Sequence, residues 1–563
     1  MYDRRVVDLT EGGRPAAPSA RYCRADANSA ACFRQRDNNV VGVPDRDPVI
    51  VVGSGIAGGL LALAAAESGP VVLVTKAALG EGSTRRAQGG IAAAVDAGDT
   101  IDAHVADTLA AGAGLCDVEA VARICAEGPA QVETLLRRGV RFDQDPLGGL
   151  ELAREGAHSA ARVVHAGGDA TGAHIVAALA AALRRDPRVV IAEEETALEV
   201  VVRHGRACGL RSRTADGREI TRWARAVVLA TGGSGHLYAR TTNPLGATAD
   251  GPALAARAGA ALADLELVQF HPTALALGDS PLGLVSEAVR GEGAVLRDAA
   301  GYRFMPDEHP MAELGPRDVV ARAIDRRARR MAADVTLDLR HLDPVDVHRR
   351  FPTVAAICAE HGLDLARDRI PVTPAAHYSI GGVLTDMAGR STLPGLFAIG
   401  ECAATGAHGA NRLASNGLLE AAVMAAAAAE AVAGDADAWP EGPLAAAVPA
   451  DGRAPATPDA RRAVQAAMWE GVGVRRDAAG LASAAAALDA IAPGDDPETA
   501  NLLLVARLAA AAADIRTESR GAHFRSDFPL PDPARARRIA WAGGQPFLVP
   551  DARHGRALAL EAA

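Results

Sequence analysis

Pro48-Val-Ile-Val-Val-Gly53-Ser-Gly55-Ile-Ala-Gly58-Gly predicts the fold more clearly than any other segment of this sequence. Its short apolar run leads directly into a Gly-x-Gly-x-x-Gly turn, and an Ala- and Leu-rich helical pattern continues to about Ser68. A second apolar run, Val71–Val74, follows. Strand, glycine turn, helix and strand in this order are typical of the opening of a doubly wound α/β sheet that binds a dinucleotide.

The glycine turn itself predicts where a cofactor binds. Gly53 permits the tight turn, Gly55 lets the backbone approach a pyrophosphate at the helix N-terminus, and Gly58 allows helix and strand to pack closely. A glycine turn without a ligand is the alternative, but the position between a strand and a helix favours a cofactor. The predicted cofactor contacts in this turn are Gly53, Ser54, Gly55, Ile56, Ala57 and Gly58.

Two later segments repeat the combination of a buried strand and a glycine. They are Ala226–Gly233 and Pro394–Glu401, and the second precedes a helix from about Ser415. Their return to one sheet predicts a discontinuous cofactor domain with a second domain inserted in it. The predicted organisation is an irregular extension at 1–47, a cofactor domain at 48–264 and 379–432, a capping domain at 265–378, a linker at 433–460 and a C-terminal helical domain at 461–563, with helical patterns at about 458–490 and 497–520.

Length and composition exclude several classes of protein. With 563 residues, 49% hydrophobic and 23% charged, the chain is typical of a soluble globular protein of several domains. A net charge of −10 without a basic patch argues against a nucleic-acid partner. Because we find neither an apolar run of about 18 residues nor a signal sequence, we expect a cytoplasmic protein that does not contact a membrane.

The cysteines are scattered through the chain, and none forms a Cys-x-x-Cys pair. Separate thiols are therefore expected, rather than a disulfide framework, a zinc site or an iron–sulfur cluster, and no metal site is predicted. The seven cysteines are Cys23, Cys32, Cys116, Cys125, Cys208, Cys358 and Cys402.

Lys76 is the only lysine in the sequence. It ends the second strand, where a nicotinamide-binding protein usually has an acidic residue, and this weakens a simple NAD interpretation. Two interpretations of Lys76 stay open, a contact with a phosphate or ribose of the cofactor and a solvated surface lysine.

Gly82-Ser-Thr-Arg-Arg-Ala-Gln-Gly-Gly-Ile91 makes a resemblance specific. At this distance from the glycine turn, it is similar to a segment of the flavoproteins of the fumarate reductase/succinate dehydrogenase family. The resemblance implies that the segment lies against the isoalloxazine ring of FAD. Ser83 stands where respiratory members carry a histidine bonded to the flavin, which implies non-covalent FAD. The residues implied here are Ser83, Thr84, Ala87, Gln88, Gly89 and Gly90.

Other segments match the cofactor site of the same family. Gly417 replaces a serine that is common at its position, so a contact through the backbone N–H would be kept and one through a side chain lost. The resemblance implies a Rossmann-like, discontinuous FAD-binding domain with an inserted α+β capping domain and a C-terminal helical bundle domain. The further implied FAD contacts are Ala230, Thr231, Gly232, Asp250, Glu401, Ser415, Gly417 and Leu418.

Five segments carry reactive side chains that match, in order and spacing, the dicarboxylate-binding set of this family. Taken singly, each histidine or arginine is more often a core group or part of a salt bridge. A C4 dicarboxylate needs a cationic or donor-rich clamp at each end. The resemblance implies that Arg412 and His377 bind one carboxylate, that His271, Thr273 and Ser286 bind the other, that Arg317 is the catalytic acid, and that Glu287 and Arg290 form its proton path.

Glu155 separates the branches of the family. Its segment, Glu151–Ser159, resembles the one that contacts the amino group in the members that oxidise L-aspartate. A carboxylate there favours a substrate with an α-ammonium group and disfavours succinate. A surface loop without a role is the alternative.

The resemblance covers residues 48 to about 530 and implies a reaction. L-aspartate would be oxidised to iminoaspartate, with oxygen or fumarate reoxidising FAD, as the first step of NAD biosynthesis, and quinolinate synthase would consume the product, with or without transient contact. A soluble fumarate reductase is the alternative. A flavin-bound protein that acts through its helical domain is a third interpretation, which the intact set of His271, Arg317, His377 and Arg412 disfavours.

Overall fold

The structure is a computed structural model and describes residues 47–434, 457 and 459–549. The predicted N-terminal extension and most of the predicted linker lie outside the described residues. The helices are α1 (Ile56–Ala65), α2 (Ile101–Ala111), α3 (Val118–Arg137), α4 (Thr171–Arg185), α5 (Asp250–Ala258), α6 (Glu287–Gly291), α7 (Met305–Glu308), α8 (Arg317–Met331), α9 (Pro344–Arg350), α10 (Pro352–Glu360), α11 (Asn416–Ala433), α12 (Ala460–Gly471), α13 (Ala478–Asp489) and α14 (Pro497–Ile515). The strands are β1 (Val49–Val52), β2 (Val71–Val74), β3 (Ile91–Ala92), β4 (Leu152–Ala153), β5 (Val163–Val164), β6 (Val189–Ala192), β7 (Glu195–Arg203), β8 (Arg206–Thr214), β9 (Glu219–Trp223), β10 (Ala226–Leu229), β11 (Leu262–Ala263), β12 (Val268–Leu275), β13 (Val295–Arg297), β14 (Val335–Asp338), β15 (Arg369–Ser379), β16 (Gly382–Leu384), β17 (Leu396–Ala398), β18 (Ala403–Ala404), β19 (Ile539–Ala542) and β20 (Gln545–Leu548).

A parallel sheet in the order β17-β10-β1-β2-β6 forms the centre of the molecule. The three strands that the sequence places before glycines, β1, β10 and β17, lie side by side in it. β1 and β10 are buried along their whole length, as expected of parallel strands covered on both faces. The glycine-containing ends of these strands therefore meet at one edge, where a doubly wound sheet binds its ligand.

The glycine turn after β1 is packed too closely for side chains. Gly53 has φ +107°, and a Cβ on Gly58 would lie 1.9 Å from the Gly53 carbonyl oxygen and 3.2 Å from the Ala230 Cβ. The sequence-based roles of Gly53 in the turn and of Gly58 in close packing are thus both visible in the backbone.

A four-stranded sheet, β12-β15-β14-β13, belongs to the segment that the sequence predicts as a capping domain. It has its own hydrophobic core, which includes Val285, Leu296, Phe304 and Ile324. The pairing of β12 with β15 shifts register after Gln269 and again after His271. Such irregularities turn side chains away from the regular alternation and are common beside active sites.

The C-terminal region differs from the prediction in two ways. The first helical pattern forms two helices, α12 and α13, because the helical conformation ends after Gly471. The non-helical segment Val472–Asp477 follows, and the Asp477 side chain caps the N-terminus of α13. The region is also not purely helical, since the β19–β20 hairpin pairs with β11 and so joins the sheet β18-β16-β11-β19-β20. α14 also packs against α5, and α12 packs against the segment Gly235–Leu237, so this region contacts the cofactor domain at several places.

One helix corrects the expectation that no segment has the length and composition of a membrane span. α11 meets both criteria, with a mean hydropathy of 1.3 over 18 residues, but 72% of that window is buried inside the protein. It packs against α1 and contributes Val423 and Met424 to the main core. Its apolar character is thus explained by its place in the core.

We expect Gly58→Ala to destabilise the protein by about 3 kcal/mol, because the new Cβ collides with backbone atoms that cannot rotate away. Gly59→Ala is the matched control, since its Cβ would meet only leucine side-chain atoms, the nearest being the flexible Leu179 Cδ1 at 3.3 Å. Thermal unfolding and cofactor content of the two variants check this prediction. Equal losses in both variants would contradict the steric explanation.

Candidate active site

The pairing of β12 with β15 brings two predicted substrate residues together. His271 lies opposite Ala375 in this pairing, and the rings of His271 and His377 are 5.0 Å apart between centroids. The Thr273 backbone N–H donates to Nδ1 of His271 at 3.2 Å, so the proton of this imidazole is on Nε2. Thr242 Oγ1 lies 2.9 Å from Nδ1 of His377. Both rings are therefore oriented through Nδ1, and each Nε2 remains for a ligand.

Both histidines are neutral. Burial, followed by the charges of Arg317 and His377, holds the pKa of His271 well below its usual value. Burial, followed by the charges of Arg317 and Arg412, does the same to the pKa of His377. Neutral imidazoles at this place act as hydrogen-bond donors without adding to the charge of the site.

Arg317, the first residue of α8, is held by two buried side chains. Its Nε donates to Glu287 Oε2 at 2.5 Å, and its Nη1 donates to Gln269 Oε1 at 3.0 Å. Arg290 Nη2 lies 3.3 Å from Glu287 Oε1 and forms an ion pair with it but no hydrogen bond, so the predicted path from Arg317 through Glu287 reaches Arg290 as an ion pair. Burial raises the pKa of Glu287, but Arg317 and Arg290 outweigh burial and leave it below its usual value. Glu287 is therefore the ionised bridge between two guanidinium groups.

Arg412 differs from these arginines because no described carboxylate forms a salt bridge with it. It is 6% exposed; its Nη1 donates to the Leu413 carbonyl oxygen, and its buried Nε has no partner among the described residues. Its guanidinium carbon lies 4.4 Å from the centre of the Tyr378 ring, which stabilises the cation. Burial, then Arg317, lowers the pKa of Arg412 to about 10, so it is charged at neutral pH. A buried cation in this state is a binding site for an anion.

Glu155 lies in the same site. It is 4% exposed, and the Ser415 hydroxyl donates to its Oε2 at 2.7 Å. A Cβ on Gly89 would lie 2.8 Å from its other oxygen, Oε1, which places this carboxylate beside the segment predicted to contact the flavin. Burial and the charge of Glu287 raise its pKa, against the opposing effects of Arg317, Ser415 and Arg412. The alternative that Glu155 is in a surface loop is therefore wrong.

Two predicted substrate hydroxyls have partners in the protein. The Thr273 hydroxyl donates to the Val285 carbonyl oxygen at 2.8 Å, so it is not available to donate to a carboxylate. Thr273 acts on His271 through its backbone N–H instead. Ser286 Oγ accepts from the Ala288 N–H at 3.3 Å and caps α6, which leaves its hydroxyl proton free for a ligand.

The residues of the glycine turn and its surroundings fit FAD. Thr84 Oγ1 accepts from the Ile56 N–H at 3.1 Å and so ties the Ser83–Gly90 segment to the helix N-terminus. Gln88 Oε1 and Thr231 Oγ1 are buried polar atoms without a hydrogen-bond partner in the part of the chain that the structure describes. A Cβ on Gly232 would meet nothing within 4 Å, so the backbone there faces open space. Unpaired polar atoms, open backbone and a helix N-terminus are what a pyrophosphate and its attached rings require.

Lys76 and Asp250, which are both predicted cofactor contacts, form an ion pair with each other. Lys76 Nζ donates to Thr248 Oγ1 at 2.6 Å, to Asp250 Oδ2 at 2.7 Å and to Glu498 Oε1 at 2.6 Å. These three bonds use all the protons of the ammonium group, so the interpretation of Lys76 as a solvated surface lysine is wrong. Lys76 instead links β2, α5 and α14. A direct contact of Lys76 or Asp250 with FAD stays a prediction.

Sequence reasoning missed the side chains that orient the site. Gln269 is fully buried; its Nε2 donates to Asn411 Oδ1 at 3.0 Å and to the Arg412 carbonyl oxygen at 2.7 Å, and it thereby joins Arg317 to Arg412. The Tyr378 ring lies under Arg412 and close to Gly417, where a Cβ would be 2.8 Å from Tyr378 Cε2. Gln269 and Tyr378 adjoin predicted residues in the sequence, and this adjacency is the only signal that was available.

No group of three or more His, Cys, Asp or Glu side chains that could hold a metal ion occurs within residues 47–434 and 459–549. The five cysteines in this part are free, and three of them are buried.

Comparisons with known proteins show which families the chain is similar to. Residues 48–418 match the family described as FAD binding domain, and residues 496–544 match the one described as fumarate reductase flavoprotein C-term. The L-aspartate oxidase of Streptomyces coelicolor is 49% identical over 529 residues, which cover 87% of this chain and 90% of that protein. The L-aspartate oxidase of Mycobacterium tuberculosis is 46% identical over 522 residues, which cover 89% and 96%.

Solved structures agree as well. A structure of E. coli quinol fumarate reductase matches with a TM-score of 0.82 at 31% identity and covers 89% of this chain and 96% of that chain. Mycobacterium smegmatis Sdh1 in complex with UQ1 matches with a TM-score of 0.74 at 31% identity and covers 89% and 93%. These findings confirm the predicted fold class and FAD as the cofactor.

Glu401 provides a test of the cofactor site. It accepts from the Ser379 N–H at 3.0 Å, and burial raises its pKa from 4.5 to about 7. The unfolded chain therefore loses this proton at lower pH than the folded protein does, and the stability of the FAD-free protein falls as the pH rises through this window. We expect FAD-free Glu401→Gln to be more stable than the unmodified protein by about 3 kcal/mol at pH 8 and equal to it at pH 4.

We also expect Glu401→Gln to bind FAD about tenfold more weakly, because a charge-assisted acceptor is lost. Urea unfolding of the FAD-free proteins at both pH values and titration with FAD measure the two effects. The same pH dependence in both proteins would contradict the assignment.

Proposed function

The chain belongs to the family of FAD-binding flavoproteins that includes the L-aspartate oxidases and fumarate reductases described above, and from this premise we propose that it oxidises L-aspartate to iminoaspartate. FAD, when bound, accepts the hydride from the substrate, and oxygen or fumarate accepts the electrons afterwards. The Ser83 side chain has no ring nitrogen that could bond to the flavin, which supports non-covalent FAD. The reaction is then the first step of NAD biosynthesis.

The charge of the site is the observation that carries this proposal. Three buried guanidinium groups, of Arg290, Arg317 and Arg412, face two buried carboxyl groups, of Glu155 and Glu287. Burial and the charge of Glu287 raise the pKa of Glu155, and an incoming ammonium group favours its ionised form, so one positive charge remains in the protein part of the liganded site. L-aspartate at neutral pH carries two carboxylates and one ammonium group, and its net charge of −1 neutralises this excess. Succinate and fumarate carry two negative charges without an ammonium group, so they leave Glu155 unpaired in a buried site.

The binding roles follow from the contacts. Arg412 has an unoccupied Nε and no described carboxylate partner, and it binds one carboxylate of the substrate together with Nε2 of His377. Nε2 of His271 and the Ser286 hydroxyl bind the other. Glu155 accepts from the ammonium group through Oε1, since the Ser415 hydroxyl already occupies Oε2. Two fixed ends and a fixed amine leave the α-carbon one orientation.

Arg317 carries the proton chemistry when fumarate is the acceptor. It donates a proton to the fumarate carbon, and the chain of Glu287 and Arg290 returns the proton to it. The Glu287 carboxylate accepts a hydrogen bond from Arg317 and forms an ion pair with Arg290, and a proton passes from Arg290 to Glu287 when Nη2 of Arg290 turns to donate to it.

A soluble fumarate reductase is the second candidate. The intact set of Arg317, Glu287 and Arg290 supports it, because these residues serve reduction of fumarate as well. Glu155 decides between the two candidates, because its buried carboxylate disfavours a substrate that has no cation.

The partners and the compartment are proposals of the same kind. Iminoaspartate hydrolyses easily, so transient contact with quinolinate synthase, which consumes it, would protect it, and co-purification at physiological salt tests such contact. The chain is then a cytoplasmic enzyme, without a nucleic-acid or membrane partner.

The proposal is tested by measuring peroxide formed under air with L-aspartate and with succinate. We expect turnover of aspartate and little of succinate, and the reverse would establish the second candidate. We expect Glu155→Gln to lower kcat/KM for aspartate about 100-fold, since a buried bond between charged groups is lost, and to tighten binding of succinate and fumarate. Arg317→Leu serves as the control that should lose fumarate reduction.

A further inference from the structure

A second group of buried charges lies outside the site, at the base of the loop that carries Glu155. Arg162 is fully buried and donates from Nε and Nη2 to both oxygens of Asp99, at 2.7 and 2.8 Å. Its Nη1 donates to Asp107 Oδ2 at 2.5 Å. Asp107 also accepts from the backbone N–H and the hydroxyl of Ser159, each at 2.7 Å. This group fixes the loop after Glu155 to α2.

His158 connects this group to the site. Arg162 Nη1 lies 3.1 Å from Nδ1 of His158, and because a guanidinium only donates, Nδ1 is the acceptor. The proton is therefore on Nε2, which donates to the Ala414 carbonyl oxygen at 3.0 Å. Burial lowers the pKa of His158 to about 4, in keeping with one protonated nitrogen at neutral pH.

The bonds from His158 to Ala414 and from Ser415 to Glu155, together with the backbone, form a closed ring of contacts that includes Glu155. Ala414 precedes Ser415, whose hydroxyl donates to Glu155 Oε2, and Glu155 lies three residues before His158. The loop thus has two attachments to residues 414–415, one through Glu155 and one through His158. A Cβ on Gly156 would lie 2.2 Å from Glu287 Oε1, so the loop has no room to move toward the proton path.

We propose that His158 is a positioning residue that sets the preference for substrates with an α-ammonium group. The proposal rests on the function proposed above. Without the bond from His158 to Ala414, the Ser415 hydroxyl is the one remaining bond of this loop to residues 414–415, and the free oxygen of Glu155 can turn away from the ammonium group. Fumarate has no ammonium group, so the same displacement of the Glu155 carboxylate does not weaken its binding.

Two substitutions separate the two bonds of His158. In His158→Gln the side-chain amide reaches the place of Nε2 and can still donate to Ala414, whereas in His158→Asn the side chain reaches only the place of Nδ1 and keeps the contact with Arg162. We expect His158→Asn to lower the ratio of kcat/KM for aspartate oxidation to kcat/KM for fumarate reduction about fivefold to tenfold, the effect of one hydrogen bond. We expect His158→Gln to restore most of the ratio.

His104→Asn is the matched control. His104 is a second buried imidazole of this region, and its Nε2 lies 2.9 Å from Asn416 Oδ1, but it does not bond to the described residues of the 155–159 loop. The His104→Asn substitution removes one buried hydrogen bond of the same kind. We therefore expect it to lower stability similarly and to leave the ratio of the two kcat/KM values unchanged. FAD content and thermal unfolding are measured for all variants, so that a loss of folded enzyme is not mistaken for a loss of preference.

Each outcome decides between a positioning and a purely structural role. A lower ratio in His158→Asn with rescue in His158→Gln supports the proposal. An equal loss of both reactions, an unchanged ratio, or the same change in His104→Asn overturns it and leaves the proposed function standing. Absence of aspartate turnover in the unmodified enzyme overturns the proposed function and this inference together.

Discussion

A buried guanidinium group that no described carboxylate neutralises is the constraint on which the site depends. Arg412 sits among groups that cannot reach water, and such a charge is costly unless other interactions stabilise it. The face of Tyr378 lies below it, Gln269 holds its backbone, and neutral rather than charged imidazoles stand nearby. The protein accepts this cost because a substrate carboxylate completes the missing pair when it binds.

The same constraint explains why the other charges are paired as they are. Glu287 lies between Arg317 and Arg290, so these two cations do not compete with Arg412 for the substrate. Glu155 has a hydroxyl on one oxygen and none on the other, which leaves one acceptor for an incoming cation. The protein therefore recognises a substrate that supplies a carboxylate to the guanidinium group of Arg412 and a cation to the free oxygen of Glu155.

Local sequence patterns predicted the fold, and the family resemblance implied the side chains of the site, but neither predicted how these side chains are connected. The strand and glycine segments at Gly53, Ala226 and Pro394 lie where period and spacing place them, because a glycine turn after a buried strand has few alternatives. The bond from Ser415 to Glu155, and the attachment of His158 to Ala414, join segments more than 250 residues apart in the chain. The periodicity of the sequence cannot predict these two bonds, because they depend on how α11 packs beside the small sheet of β3, β4 and β5.

Composition singled out Lys76 as a residue with a defined role, but it did not identify the protein groups that Lys76 contacts. The only lysine does have a defined role, yet its ammonium group meets Asp250 and Glu498. Glu498 belongs to α14, which the sequence separates from Lys76 by most of the chain, so no local pattern could have named it. The hydroxyl of Thr273 was likewise assigned by its position in a motif, whereas its donor direction is fixed by Val285.

The β19–β20 hairpin has a consequence for biosynthesis. It completes a sheet whose partner strand, β11, leaves the ribosome long before it, and Arg538 then fastens it by donating to Asp264 at 2.6 Å. At ordinary translation speeds about half a minute passes between the synthesis of β11 and the synthesis of the β19–β20 hairpin. During that time the nascent cofactor domain presents an unpaired strand edge, which another chain can pair with instead.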